Sequence, residues 1–355
     1  MDLLKKSPEE IDAELERFRS VGDDLADAAV AELMRAGALR GRGGDLVGAA
    51  EALAKSGGQA CEALLAHANS VPAWVDFEAM KVGARLGLRT PVQSAMSLIL
   101  GSLMESYASA RGAKVLIRGG MLQTQVIQRL HDTTTFVLEI AASRGPRPGT
   151  RAHRHIIRTR LVHGFVRHGM LKRGDWDHKA WGHPVNQEDY ASTLLAFCHV
   201  YLKSMHRIGV AVTDEEEASV HHMFRWVGHV MGVAPELLSH DRAEEKELYA
   251  YITARQLHPD DDSRALAHSL VDALAYRKPL FLPAAAIAEL TRQMVGDELA
   301  DGLGFARSQR WGRLRHALPL FSLAQRQVEK VPLTIAPMEI LGERVARLVY
   351  THGLT

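Results

Sequence analysis

The chain has 355 residues, 46% of them apolar, and a formal net charge of +1. That length can bury a large core, and the near-neutral charge excludes a protein built around nucleic-acid binding, for which a global excess of Lys and Arg is expected. Its two cysteines, Cys61 and Cys198, are too few for a disulfide framework or a Cys-rich zinc site and suit a reducing compartment, so the cytoplasm is the expected location.

The N-terminal MDLLKKSPEEIDAELERF is charged throughout and lacks the apolar core of a signal peptide. Ser7-Pro8-Glu9-Glu10 predicts a helix start, with a capping hydroxyl, Pro at the first helical position and Glu three residues after the cap. Asn186 before Gln187-Glu188-Asp189, and Thr213 with Glu216, predict two more. Helix stops are expected at Gly209, Gly232 and Gly296, and breaks at 40–44, 145–149, 174–184 and 279–283. Apolar residues recur at helical spacing along nearly the whole chain, and alternating runs are scarce, so the fold class is all-α. No repeat or linker interrupts this pattern. One domain spanning 1–355 is expected, with the stretch from about 258 as a candidate C-terminal helical subdomain. The longest apolar segments, such as 191–201, fall short of the ~20 residues a membrane span needs.

Charge is unevenly spread. No acidic residue lies between Glu139 and Asp175, where nine lysines and arginines stand with His153, His155, His163 and His168. On the helix predicted there, Ile156, Leu161, Val162, Phe165 and Met170 belong to a broad apolar stripe, with His163 inside it. Arg160 and Arg167 lie three and four residues from His163, along the same side. Such a face could present an imidazole to haem iron while its arginines neutralise the propionates. By spacing alone, His163 reads first as a core histidine on a helix with solvated arginines. Cys198 in AFCHV could be a thiolate ligand or a small buried hydrophobe. His221, His222 and His229 could share a metal or serve structure, and 186–189 reads as a cap and buried polar knot before it reads as a substrate contact.

Five passages together carry a family resemblance: VPAWVD (71–76), IQRLHDTTTFVLEI (127–140), TRLVHGFVRHG (159–169), VNQEDYASTLLAFCHVYLKSMHRIGV (185–210) and FRWVGHVMGV (224–233). In order and spacing they resemble the successive blocks of the rubber oxygenase superfamily, which joins latex clearing proteins to MpaB-type oxygenases. The resemblance implies a globin-like helical core with added peripheral helices and a b-type haem buried between helices. It also implies that the family's proximal iron ligand falls on His163, within Arg160-Leu161-Val162-His163. The distal Arg-Leu-x-Lys-Thr segment of latex clearing proteins here reads Arg129-Leu130-His131-Asp132-Thr133. Arg129 and Thr133 match, while Asp132 replaces the lysine, which argues against rubber as substrate. Arg129 could then stabilise negative charge on dioxygen, Thr133 could donate or relay a proton, and Asp132 could act as base or relay. His131 points about 100° away from Asp132 on an ideal helix and could ligate only if that helix is distorted. The expected activity is a haem b-dependent oxygenase acting with dioxygen on an apolar or small organic substrate. A haem-binding sensor or electron-transfer protein is the alternative. Neither reading specifies an oligomeric state.

Overall fold

The computed structural model describes residues 1–38, 44–119, 126–141, 145–277 and 281–329, so the breaks expected at 40–43 and 279–280 lie outside the described residues. Side chains set most of the helix starts. Ser7 and Glu10 close a complete capping box on α1 (Pro8–Arg19), and Asp23 and Asp45 cap α2 (Asp24–Arg35) and α3 (Leu46–Lys55). There follow α4 (Gln59–Asn69), α5 (Met80–Arg89) and α6 (Pro91–Met96), the last with Pro at its first position. A π-helical turn over Ser97–Leu103 leads into the short α7 (Met104–Tyr107), and Ser109 caps α8 (Ala110–Arg118).

Two helices bear the candidate site: α9 (Val126–Ile140) and the 23-residue α10 (Arg151–Arg173), which Thr150 caps and Gly174, at φ +72°, ends. After α11 (His178–Trp181), Asn186 caps α12 (Gln187–Leu195), a second π-turn spans Ala196–Val200, and α13 (Tyr201–Arg207) ends before Gly209. Thr213 and Glu216 form the second capping box, on α14 (Asp214–Met231), which stops at Gly232. Then come α15 (Arg242–Gln256), α16 (Asp261–Leu274), α17 (Ala284–Val295), α18 (Asp297–Gly302) and α19 (Leu314–Glu329). Among the described residues the protein is all-α, with one isolated bridge, Ser109 to Leu257. No helix there is long and apolar enough to cross a membrane.

In the packing, α10 lies between α2 and α14, with α9 beside it, and α5 packs along α14. The principal apolar cluster runs from α2 to Phe305, and α16 and α17 contribute Leu266, Leu270, Leu290 and Met294 to it. A smaller cluster joins α1, α12 and α15 through Leu15, Phe18, Leu195 and Leu248. Buried ion pairs cross between helices. Arg160 reaches Asp23 with Nε at 2.7 Å and Nη2 at 2.8 Å, and Arg167 Nε reaches Asp27 at 2.7 Å.

Gly232 bears on the first pair. Its φ of +83° lies in the left-handed region, and a Cβ there would stand 2.5 Å from the Arg160 guanidinium, which Asp23 holds in place. Gly174 has the same backbone requirement but open space around its Cβ. Both changes to Ala should carry the left-handed cost of about 1–2 kcal/mol. In urea unfolding, Gly232→Ala should lose clearly more than Gly174→Ala. Equal losses would mean that Arg160 moves aside at no cost.

Candidate active site

On an ideal helix His163 sits between two faces of α10. Arg160 and Arg167 lie about 40–60° to one side, and His155, Thr159 and Val166 about 40–80° to the other. The first face meets α2 through Asp23 and Asp27. The second meets α9, where His155 Nδ1 lies 2.8 Å from Glu139 Oε2.

All three Arg160 nitrogens are engaged. Besides the Asp23 pair, Nη1 donates to the Val230 carbonyl at 3.1 Å and lies 3.0 Å from His67 Nδ1. Arg167 Nη1 donates to the Val185 carbonyl and the Tyr190 hydroxyl, while Nη2 is buried with no hydrogen-bond partner. The Tyr190 ring packs 5.3 Å from the His163 ring. His163 Nδ1 is also buried and unpartnered. Burial, helped by the nearby Arg167 cation, pushes the His163 pKa down to about 4, so the ring is neutral at pH 7 and keeps a lone pair. An orphaned imidazole nitrogen, one helical turn from an orphaned guanidinium nitrogen, fits a group that needs a nitrogen ligand to iron and a cation for a carboxylate, as a haem does. All three Arg160 nitrogens already have partners, which leaves at most one Nη2 N–H for a second carboxylate.

On α9, Arg129, Thr133, Val137 and Ile140 share one stripe. The Arg129 guanidinium stands 5.8 Å from the centre of the Tyr107 ring, and it counters the rise in the Tyr107 hydroxyl pKa that burial causes. Asp132 falls about 60° off that stripe. Its side chain is 57% exposed and accepts a hydrogen bond from Gln128 at 2.9 Å. His131 Nδ1 is buried, unpartnered and 3.6 Å from the Asp132 carboxylate. The arginines thus flank His163, as their spacing implies, while Asp132 faces solvent.

The C-terminal half of the same α9 stripe lines an apolar cleft of about 590 Å³, counting the space open to solvent. Val137 and Ile140 meet Leu98, Phe197, Met223 and Phe224 there. Its two hydroxyls, Ser94 and Tyr201, bond each other at 2.8 Å. The 186–189 block is a polar knot: Asn186 caps α12, Gln187 ties Gly22, Gly232 and Ala234, and buried Glu188 joins Arg19 to Arg255. One constellation joins candidates that the sequence offers only separately, Cys198 and His221, with a glutamate it does not single out. Cys198, His221 and Glu245 meet in the interior from three separate segments.

The fold is all-α, and the family match assigns the chain to a class of oxygenases. Residues 84–324 match the family described as "ER-bound oxygenase mpaB/B'/Rubber oxygenase, catalytic domain", and the chain belongs to that family. Among curated relatives it is similar to the rubber oxygenase of Streptomyces sp. (strain K30), at 23% identity over 297 residues, covering 80% of this chain and 70% of the relative. Among solved structures it is similar to latex clearing protein LCP in the closed state, with a TM-score of 0.69, 21% identity, and 93% and 91% of the two chains covered.

The His67 contact with Arg160 makes the site's framework acid-sensitive. Burial first, and Arg160 next, push the His67 pKa from 6.5 down to about 4. A group depressed in the folded state takes up protons earlier in the unfolded chain. Its contribution is therefore complete above about pH 6.5 and is lost as pH falls toward 4. His67→Gln, which keeps an acceptor for Arg160, should flatten the fall in urea midpoint across that window. An unchanged slope would show that His67 is not part of the acid response.

Proposed function

We propose that this protein is a haem b-dependent oxygenase that uses dioxygen on an apolar or small organic substrate other than rubber, with His163 as the protein ligand to iron. The observation that carries this reading is the neutral His163 imidazole, whose buried Nδ1 has no partner and whose pKa the Arg167 cation, itself with an unpartnered Nη2, helps to depress. When bound there, haem b supplies the dioxygen and one-electron chemistry that side chains cannot. Arg167 would hold a propionate, and Arg160, paired with Asp23, fixes the direction of α10.

The remaining roles fall to α9. Arg129, steadied on Tyr107, supplies positive charge where oxygen atoms gain electron density. Thr133, four residues along the stripe, donates or relays a proton at Oγ1. Asp132, on the solvent side, exchanges protons with water. The apolar cleft begins one turn further on, and it orients the substrate and keeps water from it. Both cysteines are free and buried, which suits a reducing compartment, and we place the protein in the cytoplasm.

A second reading rests on His131, whose buried Nδ1 also lacks a partner. A regular α9 turns that imidazole away from the Arg129 and Thr133 stripe, so a ligand there would need α9 to distort, and it would make the protein a sensor or electron carrier. Absorption spectra distinguish the two, because a bis-histidine iron is low-spin and closed to dioxygen.

The His163→Ala variant should lose its Soret band and bound haem while its far-ultraviolet helical signal persists. Full haem occupancy in that variant would overturn the assignment. Gly87 tests the cleft separately, since a Cβ there meets nothing within 4 Å and Gly87 is one of the lining residues. Gly87→Leu should leave the haem spectrum unchanged and raise KM for apolar substrates several-fold. Unchanged KM would place the substrate elsewhere.

A further inference from the structure

A second cluster of reactive groups is buried away from His163, where the π-turn Ala196–Val200 meets α14 and α15. The Glu245 Oε2 atom accepts from Cys198 Sγ at 2.8 Å and lies 2.6 Å from His221 Nδ1. The three donor atoms lie within 4.8 Å of one another. Cys198, His221 and Glu245 are only 2%, 6% and 1% exposed. No part of the proposed oxygen chemistry uses them.

Two independent observations indicate a missing ligand. Nδ1 of neighbouring His199 is buried without a hydrogen-bond partner, 3.4 Å from Glu245 Oε1. Buried polar atoms are almost always satisfied, so an orphaned imidazole nitrogen facing this carboxylate marks a deficit. The second observation is charge. Arg242 contacts Glu245 Oε1 and pairs with Glu217 at 3.0 Å, so with Cys198 as a neutral thiol these groups carry one net negative charge. Replacing the thiol proton by a divalent cation brings them to neutrality.

We propose that Cys198, His221 and Glu245 bind a zinc ion. Thiolate sulfur, imidazole nitrogen and carboxylate oxygen form a donor set that zinc accepts, with a fourth position for water or His199. Because Arg242 occupies Oε1, Oε2 is the atom available to the metal. On binding, the Cys198 proton leaves to solvent and a sulfur–metal bond forms, with no change of oxidation state. His221 then ligates through Nδ1, and its Nε2–H turns to the backbone of His240, which already favours a protonated ring. The ion would tie the π-turn to α14 and α15, a structural role independent of haem.

The test uses the full-length protein, equilibrated with zinc sulfate and then dialysed against metal-free buffer. Zinc and iron per chain are measured separately by mass spectrometry. The expected result is about one retained zinc in the wild type and in Cys61→Ser, and close to none in Cys198→Ser and His221→Gln. Zinc K-edge absorption of the wild type provides a readout that needs no variant, with one sulfur expected among lighter neighbours. Zinc that washes out of the wild type, a first shell without sulfur, or undiminished zinc in folded Cys198→Ser would each overturn the proposal.

Discussion

The Arg160–Asp23 pair is the contact on which the rest of the arrangement turns. Asp23 is at once the cap of α2 and the bidentate acceptor for Arg160, so the start of one helix is bolted to the middle of another. The same guanidinium reaches His67 on α4 and the Val230 carbonyl near the end of α14. Only a planar fork with several fixed donors can serve partners in three directions, which a lysine could not do. Buried pairs of this kind roughly break even in stability, because desolvation offsets attraction, but leaving one partner alone is expensive. Their effect is therefore positional. Two turns further along α10, Arg167 repeats the clamp on Asp27, and His163 lies between the two clamps. The imidazole is held in place while both of its flanking cations are held by carboxylates.

What was legible in the sequence followed the range of the interaction. The caps at Ser7, Asn186 and Thr213 are complete within four residues and read directly from the chain. The common face of Arg160, His163 and Arg167 was equally legible, because helical geometry alone produces it. Their partners were not. Asp23 and Asp27 lie about 140 residues away, and nothing local distinguishes them from an ordinary acidic helix start. Arginines that read as free for propionates are therefore partly spent, Arg160 at every nitrogen and Arg167 at all but one. Asp132 differs for a related reason. Its position in the block aligns it with the family's lysine, but the helical angle from Arg129 takes it off the shared stripe and into solvent.

The π-turns were illegible for a different reason: they are a departure from helical periodicity, and periodicity is what a sequence reveals. Each widens the helix locally and rotates the residues that follow. The two turns, Ser97–Leu103 and Ala196–Val200, pack against each other. In the second, three consecutive residues diverge. Phe197 turns to Phe136 and Phe224 at the apolar cleft, Cys198 to Glu245, and His199 to the Tyr249 ring at 4.2 Å. On a regular apolar helix, Cys198 would be one more small hydrophobe, and the acidic stretch around Glu245 would be a solvated face.

This divergence links the two buried regions physically. Phe197 lines the cleft and adjoins Cys198, so whatever fixes Cys198 also fixes a wall of the cleft. Interiors are close-packed, and a displaced side chain cannot be absorbed without moving its neighbours. A cation bound among Cys198, His221 and Glu245 would thus stiffen the cleft from behind without touching substrate. The relatives share the scaffold at little more than one residue in five, and a scaffold does not by itself determine a reaction. A reaction must therefore be sought in this chain's own residues, in the α9 stripe of Arg129, Thr133, Val137 and Ile140 and in the cleft that Phe197 helps to line.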